Sequence, residues 1–109
     1  MHRSTLHRTV AFEIHERADV LARRAARFRR RGEIRRAAVA MGQACALSEG
    51  NAARWMMLGH LHAQLGHRGP AEHAMKQALF LRERYGEARK ARVIRRLIAN
   101  FAPVSGALT

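Results

Sequence analysis

Residues 32–49 read GEIRRAAVAMGQACALSE and residues 66–83 read GHRGPAEHAMKQALFLRE. The two stretches are offset by 34 positions, and eight of the eighteen pairs are identical: Gly32/Gly66, Ala37/Ala71, Ala40/Ala74, Met41/Met75, Gln43/Gln77, Ala44/Ala78, Leu47/Leu81 and Glu49/Glu83. A self-match at that period means that one structural unit occurs twice. Ala37, Met41 and Ala44 are spaced i, i+4, i+7, which is one face of an α-helix, and Ala71, Met75 and Ala78 repeat the spacing. Small residues at two of the three points predict that a second helix packs closely there. Ala44 and Ala78 are therefore expected to be almost fully buried.

The segments that precede each glycine are helical in pattern too. Leu21, Ala25 and Phe28 form one stripe, and Trp55, Leu58, Gly59 and His62 form another. Gly32 and Gly66 stand where such a helix stops. Pro70 occupies a natural first-turn position, and Gly50-Asn51 reads as one helix ending and the next being capped. The pattern predicts helices over 19–31, 34–48, 53–65, 70–84 and 87–101. Gly86 ends the fourth, and the last carries Ala91, Ile94, Leu97, Ile98 and Phe101 on one side. Ahead of the repeat, Leu6, Val10 and Ile14 continue a four-residue spacing towards Ala18. No Gly or Pro interrupts residues 1–31, which fits one long helix or two with a bend. Residues 102–109, with Pro103 and Gly106, read as a flexible tail.

This arrangement resembles the tetratricopeptide repeat, a helix–turn–helix unit of 34 residues. The second copy is the better match. Trp55-x2-Leu58-Gly59-x2-His62 follows the family's Trp-Leu-Gly-Tyr signature with His in the Tyr slot. Ala71-x3-Met75 follows its Ala-x3-Phe signature with Met in the Phe slot, and Ala78 fits the next small slot. In the first copy Arg24 occupies the Leu slot, beside Leu21, Ala25 and Phe28. Both copies have Glu, at 49 and 83, where the family has proline. The resemblance implies an all-α fold, an antiparallel helix-hairpin array. It would comprise an N-terminal helical extension (1–17), a tetratricopeptide-like domain with a terminal helix (18–101) and the tail (102–109).

Composition bounds what such a chain does. Its 109 residues suit one domain. Aromatic residues make up only 6%, so alanine, leucine and methionine must do most of the packing. Twenty-one Lys+Arg against eight Asp+Glu give a formal charge of +13, a surface that attracts polyanions and acidic proteins. All of the basic residues except Lys76 and Lys90 are arginine, which forms bidentate bonds with carboxylate and phosphate; arginine-favouring base composition would produce the same excess. The charge is uneven. Residues 18–36 carry eight arginines against two acids, and 82–101 carry seven basic residues against two, whereas 50–81 carry three against one. Cys45, the only cysteine, allows no intrachain disulfide and fits a reducing compartment. No apolar run is long enough to span a membrane. The expected location is the cytoplasm, with no membrane partner.

In a stack of such repeats, the first helix of each pair lines a concave face. Counting about 100° per residue from Trp55, the side away from the buried stripe holds Met56, Met57, His60 and Gln64. The equivalent side of the first helix holds Arg23, Ala26 and Arg30, and that of the last helix holds Arg89, Arg92 and Arg96. Methionine suits adaptable apolar anchors and arginine suits carboxylates. The expected partner-binding surface is thus a groove with a methionine floor and basic walls. The alternative is that the N-terminal segment or a second copy of the chain covers Met56 and Met57. Some tetratricopeptide proteins hold the C-terminal carboxylate of a chaperone tail through Lys and Asn in this groove. Ala26 and His60 stand where that Asn would be, so this activity is not carried over.

Other functions find less support. Nucleic acid is the rival ligand for the arginines, but few aromatics accompany them and no nucleic-acid-binding motif is present. The seven histidines match no metal-site spacing. His62 reads as a packed residue in the Tyr slot and Cys45 as a structural thiol. There is no phosphate loop, nucleophile elbow or poised pair of acids, so no enzyme and no cofactor is expected. The function expected is protein–protein interaction, as an adaptor or assembly chaperone for an acidic or amphipathic segment of another protein. Self-association as a homodimer is a further expectation, and an arginine-rich nucleic-acid-binding accessory protein is the alternative.

Overall fold

In a computed structural model of the chain, three glycines turn the backbone in the same way. Gly32, Gly66 and Gly86 have φ of 79°, 76° and 72°, a region that L side chains adopt only under strain. Each glycine N–H donates to the carbonyl three residues back: Arg29 (3.0 Å), Ala63 (3.1 Å) and Glu83 (3.1 Å). The next N–H reaches five back: Glu33 to Phe28 (2.9 Å), His67 to His62 (2.8 Å) and Glu87 to Arg82 (2.8 Å). This pair of bonds satisfies the last carbonyls of a helix and reverses the chain. The carbonyls of Glu33, His67 and Glu87 then accept from Ala37, Ala71 and Ala91, each at 3.0 Å, and so begin the following helix. Those three alanines are wholly buried. One Gly-x4-Ala corner is therefore used three times.

The structure describes the backbone of residues 2–107 and the side chains of residues 8–101. Among them the fold is all-α, with helices α1 (His2–Arg30), α2 (Ile34–Leu47), α3 (Ala52–Gln64), α4 (Arg68–Arg84) and α5 (Ala88–Ala107). α1 is one continuous helix of 29 residues, which decides between the two arrangements open for residues 1–31. α5 continues past residue 101 to Ala107. The side chain of Leu6 and those of residues 102–109 lie outside the described residues, as does the expectation of a flexible tail. Asn51 caps α3, its Oδ1 accepting the Arg54 N–H at 3.1 Å. No helix among the described residues is long and apolar enough to cross a membrane.

The chain divides into two compact units, residues 1–49 and 50–109. In the first, α1 packs against α2. Its buried side chains are small: Ala18 and Ala25 on α1; Ala37, Ala38, Ala40, Ala44 and Cys45 on α2, where Met41 is the largest. Ser48 and His15 share a hydrogen bond of 2.9 Å between the end of α2 and the middle of α1. Val10, Phe12 and Ile14 are exposed.

In the second unit α4 packs against both α3 and α5. Met75, Ala78, Leu81, Ala52 and Ile94 form the buried cluster, and Trp55, Met56, Leu97, Ile98 and Phe101 pack partly against it. Close approach of α3 to α4 depends on Gly59. A Cβ there would lie 2.9 Å from Met75 Cγ and 3.3 Å from the Ala71 carbonyl oxygen. The α4–α5 hairpin is latched at its corner by the Arg82–Glu87 ion pair and at its open end by Arg68, whose guanidinium lies 5.9 Å from the Phe101 ring centre.

Candidate partner-binding surfaces

The 34-residue offset pairs Arg23, Ala26 and Arg30 of α1 with Met57, His60 and Gln64 of α3. All six sit on one face of their helices by spacing. Arg23 and Arg30 are exposed in the first unit; His60 and Gln64 are exposed in the second, where Met57 is half-buried. Arg89, Arg92 and Arg96 are spaced i, i+3, i+7 on α5 and are exposed as well. Met56 differs from the others. It packs against the Met75–Ile94 cluster beside Trp55, so much of its side chain belongs to the core of the second unit. In that unit the structure thus supplies an arginine face on α5 and, on α3, a face of Met57, His60 and Gln64.

His62 is half-buried at the second corner, and its Nδ1 lies 3.3 Å from Nδ1 of His67. The corner dictates the pair, because the His67 N–H bonds the His62 carbonyl and brings the two rings over the same turn. Burial, and secondarily the nearby His67, lower the His62 pKa from 6.5: a half-sheltered ring beside a second ring resists taking a charge. Among the described residues no three His, Cys, Asp or Glu side chains cluster as metal ligands would, and no polar or charged side chain is buried. One polar atom departs from this: Nη2 of Arg68 is buried without a hydrogen-bond partner.

A second feature lies wholly within the first unit and was not foreseen from the helix stripes. α1 and α2 enclose an open cavity of about 310 Å³. Phe28, Val39 and Ala40 give it an apolar floor, and Arg24, Arg35, Arg36 and Gln43 complete its lining. The Arg36 guanidinium lies 6.0 Å from the Phe28 ring centre. The signal was present in the sequence: Arg24 stands in a leucine slot, and Arg35-Arg36 falls one turn before Val39 on the facing helix.

No protein-family model matches the chain, and no curated protein matches it in sequence.

Proposed function

We propose that this chain is a tetratricopeptide-like module of the cytoplasm that holds a partner protein, as an adaptor or assembly chaperone, and catalyses nothing. The observation that carries this reading is the repeat itself. Two hairpins with the same corner, the same Ala-x3-Met-x2-Ala face and the same 34-residue offset are a construction for presenting successive helix faces. The faces that remain outward are unlike one another in the two copies: arginine at 23 and 30, methionine, histidine and glutamine at 57, 60 and 64. In the second unit, Met57, His60 and Gln64 with Arg89, Arg92 and Arg96 suit a segment that offers carboxylates and an apolar anchor.

Affinity capture from the native host, with and without nuclease, tests the proposal. A protein partner should survive nuclease. Reversing Arg92 and Arg96 to glutamate should weaken its capture by about tenfold or more at low salt, the scale on which like-charge juxtaposition acts. Met57→Ala should weaken capture at high salt too, because apolar contact is not screened. A bound species that disappears with nuclease, with a steep salt slope and no response to Met57→Ala, would replace the proposal with nucleic-acid binding.

A further inference from the structure

The cavity on the α1–α2 hairpin has a built-in control, because the second repeat holds the same positions. Arg24 corresponds to Leu58, Phe28 to His62, Arg35 to Gly69, Arg36 to Pro70 and Val39 to His73. Leu58 is buried and fills its slot; Arg24 is exposed and leaves its slot open. Where the second repeat has one core side chain and two residues of the first turn of α4, the first repeat has three guanidinium groups around an apolar floor. Solvation alone does not explain that floor. Val39 is 63% exposed and Phe28 is only half-buried, where an outward face built for water would carry polar side chains.

We infer that this cavity is a docking site for an acidic peptide segment of a partner protein, with one apolar side chain seated on Phe28, Val39 and Ala40 and flanking carboxylates held by Arg24 and Arg35. The inference rests on the partner-holding function and places a contact on the α1–α2 hairpin. Charge complementarity decides the occupant. Arg36 has a carboxylate already, that of Glu33 at 3.2 Å, and its guanidinium faces Phe28. Arg24 and Arg35 have no ion-pair partner among the described residues. A second copy of this chain is a poor occupant, since it brings a net charge of +13 to three arginines. Nucleic acid would satisfy the arginines but leave the aliphatic floor unfilled, and the one ring available for stacking is already faced by Arg36. At about 310 Å³ the space is at the small end of ligand sites, which suits one side chain and its neighbours.

The test is an amide chemical-shift titration of the full chain with three probes: a blocked pentapeptide Asp-Glu-Leu-Glu-Asp, its Leu→Ser version, and oligodeoxythymidylate. The acidic leucine peptide should move the amides around Arg36, Val39 and Gln43, and the serine version should bind more weakly. Arg35→Ala, at an exposed position that leaves the fold intact, should weaken the leucine peptide by about fivefold, the upper range for exposed ion pairs. Arg24→Leu installs the residue of the second repeat and should abolish the shifts while the chain stays folded. Shifts confined to α3 and α5 would overturn the cavity site and leave the partner-holding function standing. Tighter binding of oligodeoxythymidylate at the same amides, indifference to both arginine substitutions, or no shift at millimolar peptide would each overturn the inference.

Discussion

The hairpins α1–α2 and α3–α4 share a corner, a period and a buried Ala-Met-Ala face, yet they spend their remaining slots in opposite ways. In the second hairpin Leu58 is buried, Gly59 lets α3 touch α4, and α5 adds Ile94, Leu97, Ile98 and Phe101 to the same core. In the first, the corresponding positions are Arg24 and Ala25, the buried residues are mostly alanine, and the cavity stays open at the surface. Burial of large apolar side chains contributes about 1.5–3 kcal/mol each, and alanine far less. The comparison teaches that a repeat is a backbone device. A few slots decide how much apolar volume a copy buries, and here the second copy holds the larger core while the first keeps an open cavity.

Three measurements test that contrast. The largest effect is expected at Ile94, 3% exposed at the centre of the second core. Ile94→Ala should cost about 2–5 kcal/mol, the range for buried large-to-small changes. Trp55 is the only tryptophan and packs on that cluster, so its fluorescence in a urea titration reports the second unit, while circular dichroism reports both. A Trp55 transition that Ile94→Ala leaves in place would remove α5 from the core and end the claim that the second unit holds the larger core.

A smaller effect tests the close approach. Gly59→Ala gains about 1 kcal/mol of helix propensity but drives a Cβ against Met75 and the Ala71 carbonyl, an overpacking cost of about 1–3 kcal/mol. The net should be a loss on the order of 1 kcal/mol by thermal melting. The first hairpin carries alanine at this very position, as buried Ala25. Gly59→Ala melting higher than the wild type would show that α3 and α4 have room for the Cβ that the first hairpin carries at Ala25.

The smallest effect is in pH. Only the second corner holds a histidine pair. The His62 pKa is lowered in the folded chain, so the unfolded chain takes up the proton first as pH falls. The contribution of His62 is fully present above its ordinary value of 6.5 and is lost as pH falls through the lower folded value. His67→Ala removes the secondary cause and the hydrogen bond, and should reduce the loss of melting temperature between neutral and mildly acidic buffer. An unchanged acid limb would leave burial as the whole cause.

Much of the architecture was legible in the residues. Gly32, Gly66, Gly86 and Asn51 announce their turns because the cause is local: positive φ at glycine and a side-chain cap act within a few residues. Ala44 and Ala78 were expected to be buried and are 0% exposed, since the 34-residue match marks their face twice. The stripe of α3 was less legible. His62 counted as part of it and Leu61 did not, whereas Leu61 is fully buried and His62 half-exposed. A helix hidden on more than one side has no single stripe, and its periodicity understates its burial.

The helix faces of the proposed surface were legible only in part. Spacing along a helix is enough to group Arg23 with Arg30, and Arg89 with Arg92 and Arg96, because residues three, four and seven apart share a face whatever packs around them. It could not separate Met56 from Met57. One methionine packs on a core cluster that includes Ile94, nearly forty positions away, and no local pattern encodes what a distant helix will cover. The cavity came from the same kind of cause. Arg24 and Arg35-Arg36 look in sequence like a damaged signature and a charge run. They become one site only when the Gly32 corner folds α2 back on α1 and brings residues from two helices around Phe28. Turns, helix faces and charge follow from neighbours in the chain, whereas burial and cavities follow from neighbours in space, and only the folded hairpins supply those.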